Sequence, residues 1–147
     1  MAAGPSTLTR PRVLSTGSLG FVHLGLAYAY SQPALSVNPA IPVGGGRVSV
    51  VSYINALGPV WLVGFGITGA LLIAALLLVP RLLAWAHVGG VLVSTVYSFA
   101  LWAGFVLSTP RPTIIAAVLS VGIMMWHIGM SDLYSAGGVP RRRRHHA

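Results

Sequence analysis

Cysteine is absent, which removes disulfides, thiolate metal sites and cysteine nucleophiles. Lysine and glutamate are absent as well, and Asp132 is the only acid in the chain. One carboxylate cannot divide the acid and base roles that paired-carboxylate catalysis needs. A Ser-His-Asp arrangement would have to recruit Asp132, and no G-x-S-x-G elbow accompanies it. Neither H-E-x-x-H nor a cluster of acids offers a metal site. The expectation is a chain that is not an enzyme and needs no metal or cofactor.

Charge is scarce altogether. Charged residues make up 7% of the chain, where soluble domains carry about 25%. The net charge of +8 therefore comes from a few arginines and not from a charged surface. Nucleic-acid binding calls for basic groups spread along a folded groove, often with aromatic partners, and that pattern is missing. Anionic lipid headgroups are the expected counter-charge.

What the chain has instead is apolar length. Hydrophobic residues make up 55% of it and the mean hydropathy is +0.81. Residues 60–79, VWLVGFGITGALLIAALLLV, hold no charge, and about 20 helical residues cross the hydrocarbon core of a bilayer. The fold class that follows is all-α, a polytopic helical membrane protein with four transmembrane helices in a single membrane domain. The spans are expected at about 13–31, 60–79, 82–107 and 113–130. A loop covers 32–57, where Pro33, Pro39, Pro42 and Gly44 to Gly46 forbid a continuous helix, although 48–54 is suited to lie along the interface. Pro59 suits a first helical turn, Pro80 ends the second span, and Pro110 and Pro112 bracket the last turn.

Arginine placement sets orientation, because Lys and Arg near span ends are retained on the cytoplasmic side. Four spans leave Arg10, Arg12, Arg81 and Arg141 to Arg144 inside, against Arg47 and Arg111 outside. Both termini are then cytoplasmic, in the cytoplasmic membrane. The alternative is a cleaved signal peptide, with Ala27-Tyr28-Ala29 as the small-x-small site, which leaves three spans. The basic tail at 137–147 reads as a lipid anchor through Arg141, Arg142, Arg143 and Arg144.

Small residues at four-residue spacing let helices approach closely in lipid. Gly66, Ala70 and Ala74 form one such stripe, and Ala86, Gly90, Ser94 and Ser98 form another. The two could face each other as an antiparallel hairpin, or serve a homo-oligomer or a membrane-protein partner. The intramembrane polar groups are His23, His87 and His127. Counting residues from the span ends brings His87 and His127 to one depth. Such a pair could ligate haem axially or relay protons, while the plainer reading is a hydrogen bond across a helix interface. Asp132 falls at the interface, within reach of Arg81 or the tail. Trp61 and Trp102 near one set of span ends, with Trp85 and Trp126 near the other, read as aromatic belts.

Over 57–134, about half of the chain, the sequence resembles small multi-span membrane proteins of actinobacteria and their phages, the holin-like proteins among them. The resemblance rests on size, the short basic tail, the Gly58-Pro59-Val60-Trp61 start and the Thr109-Pro110-Arg111-Pro112-Thr113 turn. Four spans are more than holins commonly have. The resemblance implies self-association in the cytoplasmic membrane and permeabilisation of the bilayer. A non-catalytic interaction protein, for superinfection exclusion or as an accessory subunit, fits the same residues.

Overall fold

The computed structural model describes residues 9–32, 50–56, 58–107 and 114–136. It is all-α: among the described residues there is no strand. The chain runs through α1 (Arg10–Ser31), a short α2 (Val50–Ala56), α3 (Val60–Leu77), a 3₁₀ turn (Pro80–Leu82), α4 (Leu83–Leu107) and α5 (Ile114–Ala136). The loop expected over 32–57 thus carries a helix at its end. The remainder of that loop, the Thr109–Thr113 turn and the Arg141 to Arg144 tail lie outside the described residues.

Proline marks the boundaries for a physical reason. Pro11 sits in the first turn of α1, where its missing N–H is not needed, so the helix begins at Arg10 and not at 13. Pro80 cannot donate back into α3, which stops at Leu77, and the 3₁₀ turn is closed by the Leu82 amide donating to the Val79 carbonyl at 2.9 Å. No proline follows 113 until Pro140, and α5 accordingly runs past the expected end at 130 to Ala136.

Val60–Leu77, Pro80–Leu107 and Ile114–Ser135 are long and apolar enough to cross a membrane. The 22 residues of α1 have the length, but Ser15, Thr16, Ser18 and His23 make it less apolar than the other three. It nevertheless packs along α3, with Leu24 against Gly69 and Ala27 against Gly66.

The helices form two close pairs, α1 with α3 and α4 with α5, and the pairs meet through thinner α3–α4 and α1–α5 contacts. This corrects the expected hairpin between the two small-residue stripes. Gly66 serves α1, while Ala70 and Ala74 are exposed. Ala86, Gly90, Ser94 and Ser98 are buried on α4, where Gly90 lies beneath the His127 ring of α5.

The surface inverts the pattern of a soluble protein. Phe21, Leu71, Trp85, Leu92, Phe99, Val106 and Leu119 are each more than half exposed, whereas Thr16, His23, Thr68, His87, Ser94, Ser98, Ser120 and His127 are buried. Apolar side chains outside and polar ones inside is the arrangement hydrocarbon selects, since every polar group must then find its partner within the protein.

Candidate functional site: a buried histidine cluster

Helical spacing puts Thr16, Leu19, Gly20, His23 and Ala27 on the inner face of α1, and His87, Gly90, Ser94 and Ser98 on that of α4. From α5 come Ser120, His127 and Tyr134. All three histidines are 0% exposed, so each must be explained by what it touches.

His87 uses both ring nitrogens. Its Nε2 lies 3.1 Å from Thr16 Oγ1 and its Nδ1 lies 3.0 Å from His127 Nδ1. In the second contact one nitrogen must carry the proton and the other the lone pair. Thr16 Oγ1 continues to the Tyr134 hydroxyl at 2.9 Å, and that hydroxyl also lies within donating distance, 3.3 Å, of the Arg12 carbonyl oxygen. The Tyr134 ring stacks on His87 at 5.6 Å and 18°, with the Arg12 guanidinium 5.8 Å from its centroid on the ring face. A hydrogen-bonded chain therefore leads from the half-buried Arg12–Tyr134 end into the bundle.

His23 Nδ1 donates to the Leu19 carbonyl at 2.9 Å, which leaves its Nε2 as an acceptor. Its ring meets His127 edge-on at 4.9 Å and Phe65 at 5.6 Å. His23 Nε2, His127 Nε2, Ser94 Oγ and Ser98 Oγ are buried with no hydrogen-bond partner among the described residues. A largely apolar pocket of about 220 Å³ is lined by Val22, Leu26, Phe65, Tyr97, Leu119 and Ile123, with Ser94 and Ser120 on its wall.

At the far end of the bundle Tyr30 and Tyr97 join hydroxyl to hydroxyl at 2.9 Å, beside the stacked Trp61 and Phe65 rings. Trp61 is 2% exposed and its indole N–H donates to the Val51 carbonyl at 3.1 Å. It is a core residue that fastens α2 to α3, which corrects its expected place in an aromatic belt. Trp85, Trp102 and Trp126 are the exposed ones.

The structure brings His87 and His127 together as depth counting predicted, and adds His23, Thr16 and Tyr134. The last two carried no sequence signal beyond their helical phase. Haem does not fit between His87 and His127, because iron and macrocycle would have to lie where the two rings bond directly. Among the described residues no group of three His or Asp is arranged to hold a metal ion. Asp132 is exposed and makes no ion pair with Arg81.

Among the described residues, the hydrogen bonds that join the two helix pairs belong to this polar set: Thr16 to His87, Thr16 to Tyr134, Tyr134 to Arg12, and Tyr30 to Tyr97. Within the α1–α3 pair the contacts are instead apolar, Leu19 and Leu72 forming part of the core. In comparisons with protein families, curated proteins and solved structures, the chain matches none of them.

Proposed function

We propose that this chain is a non-enzymatic, holin-like protein of the cytoplasmic membrane, four-spanning with both termini cytoplasmic, which self-associates and permeabilises the bilayer. The observation that carries the reading is the seam. Two close-packed helix pairs meet along a line of hydroxyls and imidazoles, while their outer faces are apolar. Parting the pairs turns Thr16, His23, His87, Ser94, Ser98, Ser120 and His127 toward water, the lining a lesion requires, and leaves the lipid-facing sides unchanged.

Self-association uses what the fold leaves outside. Ala70 and Ala74 are exposed, and Ala74 borders an apolar groove of about 230 Å³ with Leu71, Leu78 and Trp85. A helix of a second copy fits such a small-residue surface, where close van der Waals packing drives association in lipid. Arg10, Arg81 and the tail Arg141 to Arg144 supply the contact with anionic headgroups and the topology signal.

Inducible expression in a bacterial host tests the reading. A permeabilising protein halts growth, collapses membrane potential abruptly and lets a co-expressed lysin reach the wall. If strong expression leaves growth, potential and lysin location unchanged, the chain is an interaction protein, either a superinfection-exclusion factor or an accessory subunit.

A further inference from the structure

The two helix pairs leave a gap where they meet. Between α1 and α5, whose contact is thin, the pocket of about 220 Å³ opens on the outer surface of the bundle. Its rim is exposed, with Val22 on α1 and Ala116 and Leu119 on α5. Its floor is buried, with Phe65 from α3 and Ser94 from α4. In a membrane the mouth therefore faces hydrocarbon, and whatever enters comes from the bilayer and not from water.

Such a pocket stays dry. A cavity of about 150 Å³ lined by aliphatic and aromatic side chains excludes water and takes up benzene. The larger volume here suits a single ring with small alkyl substituents. Phe65 and Tyr97 give it two aromatic walls, 5.0 Å apart and 82° between planes, and Leu26 and Ile123 close it with aliphatic ones.

The few polar groups on the wall select among such rings. The Tyr97 hydroxyl is already joined to Tyr30 at 2.9 Å. Ser120 donates its proton to the Ala117 carbonyl at 2.7 Å, which leaves lone pairs on its Oγ. Ser94 is 2% exposed, and its Oγ has no hydrogen-bond partner among the described residues. A buried hydroxyl without a partner is costly, and rotation about χ1 alone re-aims it toward an acceptor that enters. A lipid acyl chain fills volume but offers Ser94 no acceptor. A ligand hydroxyl accepts from Ser94 and carries a proton of its own for Ser120. We infer from this combination that the pocket is a binding site for a small, neutral phenol or ring alcohol dissolved in the bilayer. Charged ligands are excluded, because no ionisable side chain other than Tyr97 lines the pocket and the three histidines stand outside its wall.

The walls belong to both helix pairs, Val22 and Phe65 to one, Ser94 and Ile123 to the other. The pocket exists only while the pairs are together, so an occupant stabilises the closed bundle by mass action. The site itself does not depend on the lesion reading.

The test uses the purified full chain in detergent micelles, with thymol as the phenol and p-cymene, which is thymol without its hydroxyl, as the control. The two are compared at equal mole fractions in the micelles. Thymol should reach a given rise in melting temperature at a mole fraction about fivefold lower than p-cymene does, the usual net worth of one neutral hydrogen bond. Ser94→Ala removes an unpaired hydroxyl and should fold as well as the wild type. In it the difference between the compounds should fall below about twofold, whereas Ser18→Ala, exposed on α1, should keep it. Ala116→Phe puts a ring into the mouth and should abolish both shifts. The comparison of thymol with p-cymene on the wild type needs no variant, and a melting temperature of the isolated chain stands apart from the outcome of the expression experiment. No rise with thymol, equal potency of the two compounds on the wild type, a difference that survives Ser94→Ala, or undiminished shifts in Ala116→Phe would each overturn the inference.

Discussion

Of the described glycines Gly90 has the least room: a Cβ there would collide with three atoms of the His127 imidazole ring. The ring has nowhere to retreat, since His87 holds one side and His23 faces another. Gly90→Ala should therefore destabilise the protein by about 1–3 kcal/mol, the usual cost of overpacking. At Gly89, one residue earlier, an added Cβ meets nothing within 4 Å. Gly89→Ala should be neutral or stabilising by up to about 1 kcal/mol, because glycine is the poorer helix former. Thermal unfolding of both variants in detergent checks the contrast, and equal melting temperatures would remove the Gly90–His127 contact from the account. Depth counting from the sequence brought His87 and His127 to one level because a helix has a fixed rise. It could not anticipate that Trp61 turns inward, since an indole at a span end serves a belt or a core equally well, and only the Val51 carbonyl decided between them.

At the scale of elements, the pairing of α1 with α3 was not legible. The side chains that join α1 to α3 are apolar like those turned to lipid, so hydropathy does not name the partner, and small residues mark close approach without doing so. Gly66 was legible as a packing residue, but its neighbour proved to be Ala27 of α1, with 3.7 Å between the Ala27 Cβ and a Cβ built at Gly66. That separation falls in the range of about 3.5–4.5 Å found in disulfides. The native chain has no cysteine, so Ala27→Cys combined with Gly66→Cys should form a single intrachain crosslink on oxidation. Loss of free thiols with unchanged monomer mass is the expected readout, and free thiols persisting under strong oxidant would contradict the α1–α3 pairing. Gly69→Leu probes the same surface from the other side. A Cβ there would lie 2.8 Å from Leu24 Cγ and 3.0 Å from the Gly20 carbonyl, so the bulky side chain should force the two helices apart and lower the melting temperature.

For the whole molecule, antiparallel succession brings the start of α1, the 3₁₀ turn and the end of α5 to one end of the bundle, where Arg12 meets Tyr134. The membrane class and the helical fold were legible in composition, because a chain with so little charge cannot cover itself in water. The seam was only partly legible. The histidines announced themselves as ionisable groups in apolar runs, whereas Thr16 and Tyr134 gained meaning from tertiary contact alone. Reporter fusions at either terminus should report a cytoplasmic location, as expected from Arg10, Arg12 and Arg81 at that end; periplasmic activity at the N-terminus would contradict it.

The central claim is that the polar seam becomes the wall of a water-filled opening. It is tested most directly by single cysteines and a bulky, charged maleimide added to expressing cells while membrane potential is recorded. Ser98→Cys on α4 and Ser120→Cys on α5 mark the seam, 5% and 4% exposed in the closed bundle, and Leu92→Cys and Val118→Cys mark the outer face. The account predicts that the two seam positions are protected at first and become labelled as the potential collapses, while the two outer positions stay unlabelled in lipid throughout. Seam cysteines that remain protected after the potential has fallen, or a potential that never falls, would contradict it.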